Sequence, residues 1–110
     1  MRYGTAILLL LSAALLEAGG DALIRLGLRS PTQIRAILLV VLGGIALTVY
    51  GCTVNGPPWN FGRLLGTYIV FFFLLAQLIS WAAFGQRPTL SIFLGGALIL
   101  VGGWVVSMGF

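Results

Sequence analysis

Four apolar stretches, each about 20 residues long, constrain this chain more than any other feature. They run over Gly4–Ile24, Ala36–Val54, Leu64–Phe84 and Leu90–Met108, with short polar connections between them. At a rise of ~1.5 Å per residue each reaches across the ~30 Å hydrocarbon core of a bilayer, where a helix satisfies its own backbone. Hydrophobic residues make up 60% of the 110 and charged residues 7%, whereas a soluble domain carries roughly 25% charged residues. The expected fold is all-α: one membrane domain, residues 1–110, of four transmembrane helices with short loops. A signal peptide is the competing reading of the first stretch. Arg2 would be its basic region, Ala6–Leu16 its apolar core and Ala18-Gly19-Gly20 its cleavage site. Apolar character continues past that site, as a spanning helix requires.

The connections support four separate helices. Pro31 sits in Arg-Ser-Pro-Thr just after the first stretch, and the adjacent Pro57 and Pro58 forbid a continuous helix between the second and third. Gly85-Gln-Arg-Pro88 joins the last two as a tight hairpin. Arg25, Arg29, Arg35 and Arg87 fall on one side of the membrane, and Arg2 and Arg63 on the other. The positive-inside rule then places both termini outside. Because the bias is a difference of two charges, insertion in both orientations is a hypothesis worth holding.

Several chemistries are excluded. The chain has no histidine, and Cys52 is its only cysteine. No internal disulfide, Cys/His metal site or Ser-His-Asp arrangement can be built, and no phosphate-cradling glycine loop is present. No enzymatic activity, cofactor or metal is expected. The six arginines are scattered at helix ends, which argues against nucleic-acid binding.

The acidic residues point the other way. Glu17 and Asp21 are the only two, and both lie in the first apolar stretch. A carboxylate in hydrocarbon costs several kcal/mol unless it is protonated, paired or facing a wet cavity, so its presence is a sign of function. Spaced four apart, the two share one helix face. Glu17 is roughly mid-stretch, and its small neighbours Ala13, Ala14 and Ala18 leave room beside it for a ligand. Two roles fit Asp21: an i, i+4 pair with Arg25, or a proton relay and second cation-attracting group.

Aromatic residues supply candidate ring faces for an organic cation: Tyr50, Tyr68, Phe71, Phe72 and Phe73. Tyr68 stands out, because its hydroxyl needs a polar partner at that depth. Trp59 and Trp81 lie near segment ends and are expected to anchor the interface. Gly95 and Gly102, with Gly96 and Gly103 beside them, give the fourth helix a smooth face suited to helix contact between subunits. Gly43-Gly44 reads as either a packing point or a flexible one. Four helices of this size leave little space for a solute, so a transporter built from them is expected to be a dimer with a central cavity at the subunit interface.

With these residues assembled, the chain resembles the small multidrug resistance family of the drug/metabolite transporter superfamily. Glu17 falls at that family's membrane-embedded glutamate, with Ala13 and Gly20 in step. Leu78-Ile-Ser-Trp-Ala-Ala-Phe-Gly-Gln-Arg87 is the most specific match, and Gly95 and Gly102 fall on the glycines of the dimerisation helix. Tyr68 takes the place of a substrate-contacting tryptophan. The middle differs: Pro57-Pro58-Trp59-Asn60-Phe61-Gly62-Arg63 replaces the usual entry to helix three, Val70 and Phe72 replace its glycine hinge, and Asp21 replaces a small residue. Gly62-Arg63 followed by Tyr68 is similar instead to the YnfA-like small transporters. The resemblance implies a homodimeric, proton-coupled exporter of small lipophilic or aromatic cations in a prokaryotic inner membrane. Glu17, Tyr68 and Asp21 would bind protons and substrate, and Ala13, Ala14, Tyr50 and Phe72 would line the cavity. Two other classes compete: a carrier of membrane lipid or lipid-linked sugar, and a non-transporting assembly subunit with Glu17 paired to a partner's arginine.

Overall fold

The computed structural model describes residues 3–108, so Arg2, used above for orientation, lies outside the described residues. Four helices follow in order: α1 (Tyr3–Leu28), α2 (Gln33–Asn55), α3 (Phe61–Phe84) and α4 (Leu90–Ser107). Among the described residues there is no strand, and each helix is long and apolar enough to cross a membrane. The protein is therefore an all-α, four-span membrane protein.

Three helix ends differ from the apolar boundaries by more than one residue. α1 runs unbroken through Ala18-Gly19-Gly20 and past Arg25 to Leu28, because nothing in the chain breaks it before Ser30-Pro31. α2 begins at Gln33 rather than Ala36, directly after that proline turn. α3 begins at Phe61 rather than Leu64. The Asn60 side chain accepts a hydrogen bond from the Arg63 backbone N–H at 3.1 Å and so caps one of the open donors of the first turn. At the other end of α3, Gly85 adopts φ 64°, a left-handed conformation that favours glycine. Its N–H bonds the Trp81 carbonyl at 3.1 Å, and the next N–H, of Gln86, bonds Ser80 at 3.0 Å.

The chain divides between Pro57 and Pro58 into two compact units, each an antiparallel helix pair. In the first, α1 packs on α2 through glycine. A Cβ on Gly20 would lie 3.0 Å from the Gly43 carbonyl oxygen, and one on Gly43 would lie 2.7 Å from the Gly20 carbonyl oxygen. One heptad along, a Cβ on Gly27 would likewise lie 3.0 Å from the Ala36 carbonyl oxygen. The backbones touch here because neither helix carries a side chain at the crossing, the usual route to tight packing in lipid. Gly44, by contrast, has nothing within 4 Å, so Gly43 is the packing point of the pair.

In the second unit α3 packs on α4 by the same device. Gly66 receives Val106, Gly103 receives Val70, and Gly96 receives the ring of Phe73. Polar side chains along α2 are satisfied inside the helix: Thr48 donates to the Gly44 carbonyl at 2.9 Å, Thr53 to Val49 at 2.8 Å and the Asn55 amide to Gly51 at 2.9 Å. Such local bonds are what let hydroxyls and amides sit on a membrane helix.

Candidate functional site

The glycine crossing of α1 and α2 sets the register of the functional residues. Gly20 lies against Gly43, and one heptad further along the same two faces puts Tyr50 of α2 level with Ala13 of α1. Helical side chains lean toward the amino end of their own helix. In an antiparallel pair this sends Tyr50 from the level of Ala13 toward Glu17. Ala13 is fully buried at that level, and its single methyl leaves space for a ring.

Here the two helices meet chemically. The Tyr50 hydroxyl donates a hydrogen bond to the Glu17 carboxylate, and the charges of both Glu17 and Asp21 act on that hydroxyl. Glu17 is partly buried, whereas Asp21, one turn on, is exposed. The first unit therefore sets one phenol against the Glu17 carboxyl within the span of α1, with Asp21 one turn further along that helix. That is an arrangement for holding a positive charge or a proton, since every partner is an oxygen acceptor or a phenol able to turn away. Ala14 and Ala18 are buried beside it on the same helix.

The second unit carries the other aromatic candidates. Tyr68 is 3% exposed, and its ring stands 6.2 Å from that of Phe72 at an interplanar angle of 32°. The two form a tilted aromatic pair of the geometry rings prefer. Phe73 fills the notch above Gly96, which makes it a packing residue of the α3–α4 pair and not an open ring face. Next to Tyr68, the Thr67 hydroxyl oxygen is buried without a hydrogen-bond partner. Sequence reasoning missed Thr67; its one signal was a hydroxyl beside Tyr68, in Gly66-Thr67-Tyr68.

Gly95 and Gly102 take a different place from their neighbours. Gly96 and Gly103 are spent on the contact with α3, while Gly95 and Gly102 have nothing within 4 Å. Trp81 and Trp104 are exposed, as are large apolar side chains along all four helices, including Leu8, Leu38, Leu78 and Leu98. Among the described residues no group of histidine, cysteine or carboxylate side chains is placed to hold a metal ion.

Comparison with known proteins supports the YnfA-like part of the resemblance and not the assignment to the small multidrug resistance family. Residues 4–110 match the model of the uncharacterised YnfA/UPF0060 family. A UPF0060 membrane protein of Halalkalibacterium halodurans is 36% identical over 99 residues, covering 88% of each chain. One from Rhodococcus erythropolis is 36% identical over 109 residues, 96% of each chain. The Bacillus subtilis membrane protein YfjF is 34% identical over 102 residues, 91% of this chain and 90% of its own. No solved structure matches. The chain belongs to the YnfA/UPF0060 family of bacterial membrane proteins.

Proposed function

We propose, taking membership of the YnfA/UPF0060 family as the premise, that this protein is a proton-coupled exporter of small lipophilic or aromatic cations, related in mechanism to the small multidrug resistance transporters. The observation that carries the reading is the Glu17 carboxylate, held by the Tyr50 hydroxyl within a membrane-spanning helix and one turn from Asp21. A carboxyl there takes either a proton or a cation, and binding one releases the other. That competition couples the two fluxes through one site. Both hairpins act as one four-helix domain in the inner membrane, and two copies enclose a central cavity with a Glu17 from each. Phe72 supplies aromatic surface to the substrate with the buried Tyr68 ring packed beside it, Ala13 and Ala14 keep the site roomy, and the open Gly95 and Gly102 face joins the subunits.

The test is binding of a tetraarylphosphonium to the purified protein across a pH range, wild type beside Glu17→Gln. If one proton is displaced per cation, apparent affinity rises up to about tenfold per pH unit until the carboxyl is fully ionised. The variant is expected to bind weakly and without pH dependence. Binding that ignores both pH and the substitution would remove Glu17 from the mechanism. Stabilisation by membrane lipid alone would then point to a lipid carrier, and the absence of any ligand effect to an assembly subunit.

A further inference from the structure

We propose that the α1–α2 turn is a binding surface for the phosphate headgroups of anionic phospholipid. Arg25, Arg29 and Arg35 all lie on or beside this four-residue connection, and all three side chains are exposed. They are held at one end of the unit by the close contact of Gly27 with the Ala36 carbonyl, which brings the carboxyl end of α1 against the first turn of α2. The first turn of α2 carries no acidic residue to offset Arg35, and Arg29 lies eight residues beyond Asp21, the nearest carboxylate on α1. The amino end of α2 adds partial charge of the same sign, and Thr32 places no side-chain bond on it.

The occupant follows from what surrounds the charge. Leu28 is 77% exposed and Ile34 76% exposed, one on each side of the turn, and Leu26 is exposed as well. Apolar side chains beside guanidiniums fit the boundary where acyl chains give way to headgroups, and a dissolved anion would have no use for them. Arginine also matches phosphate in geometry, since its planar fork donates two parallel hydrogen bonds. A lipid phosphodiester satisfies both the charge and the collar, and this surface is separate from the Glu17 site.

The test titrates phosphatidylglycerol, phosphatidylcholine or inorganic phosphate into the purified full-length protein and follows thermal unfolding. Phosphatidylglycerol is expected to stabilise the wild type at lower concentration than phosphatidylcholine, with the preference fading in high salt. Each arginine near a membrane surface is worth about a five-fold change in partition. The double variant Arg29→Gln/Arg35→Gln should thus raise the phosphatidylglycerol midpoint on the order of 30-fold. Arg63→Gln, at the start of α3, should leave it unchanged. Arg29→Lys/Arg35→Lys, which keeps the charge but not the fork, should retain only part of the preference, and the salt dependence of the wild type decides the matter if the glutamine variant does not fold. Equal response to both lipids, an unchanged midpoint in the double glutamine variant, or full reproduction of the effect by inorganic phosphate would each overturn the assignment.

Discussion

Adding one methyl group at Gly43 tests the glycine crossing that positions the site. In Gly43→Ala the new Cβ would sit 2.6 Å from Ile24 Cγ1, 2.7 Å from the Gly20 carbonyl oxygen and 3.1 Å from the Ile24 backbone nitrogen, against an ordinary contact of at least 3.4 Å. Ile24 can turn its side chain away. The Gly20 carbonyl belongs to the α1 backbone and moves only if the whole helix retreats by about 0.7 Å, the shortfall between those two distances. Overpacking of this kind costs about 1–3 kcal/mol. Alanine also favours a helix over glycine by up to about 1 kcal/mol, which would blur a single measurement. Gly44→Ala removes that ambiguity, because its Cβ meets nothing within 4 Å while the propensity gain is the same.

The difference between the two adjacent variants therefore isolates the crossing. Reversible unfolding in mixed micelles, followed by circular dichroism, should place Gly43→Ala about 1–3 kcal/mol below Gly44→Ala. Tyr50 lies one heptad beyond Gly43 on the same face, so parting the helices also draws its hydroxyl from Glu17. Cation affinity is expected to fall in Gly43→Ala and to hold in Gly44→Ala. If Gly43→Ala is as stable as Gly44→Ala, α1 and α2 do not cross at Gly20 and Gly43, and the register of the site is wrong.

Two further outcomes follow from the proposed reading. Asp21→Asn should lower affinity for an aromatic cation several-fold while leaving its pH dependence in place, since Asp21 contributes attraction and Glu17 exchanges the proton; loss of the pH dependence would reverse those roles. Gly102→Ile should shift the protein from dimer to monomer in crosslinking within native membranes without unfolding the α3–α4 pair, because Gly102 faces open space. Gly103→Ala should instead damage that pair through Val70. A Gly102→Ile protein that crosslinks like the wild type would move the subunit contact off this face.

The helix count was legible because hydrocarbon thickness dictates the length of an apolar run, and four such runs fit no other architecture. Helix ends were less legible. A charged residue marks where the membrane stops, but the backbone continues until something breaks it, so α1 passes Arg25 and stops only before Pro31. The early start of α3 rests on the Asn60 cap, a polar detail inside what reads as a proline-rich connection. Glu17 and Asp21 were visible as charges in an apolar run, whereas the bond from Tyr50 to Glu17 was not. It depends on the register of two helices, and Gly20 and Gly43 reveal that register only once their contact is known. The glycine doublets of α4 show the same limit. Either Gly95 with Gly102 or Gly96 with Gly103 could have faced α3, and Val70 and Phe73 are what select the second pair.

Two uncovered features of one chain ask for the same remedy. Asp21 is exposed on a helix that spans the membrane, one turn from a Glu17 that is only partly buried. A charged carboxylate turned to lipid costs several kcal/mol, so this face needs water or protein against it. The α4 face at Gly95 and Gly102 is open too, and a bare glycine face gains van der Waals contact only when another helix backbone approaches it. On the proposed dimeric reading, a second copy of the chain would meet each need, covering the glycine face in one unit and enclosing the carboxyls of the other away from lipid. In the proposed transporter it would also supply a second Glu17 to the cation. If the protein is monomeric in native bilayers, water must reach Asp21 along a single chain, and proton–cation competition then falls to one Glu17 acting alone.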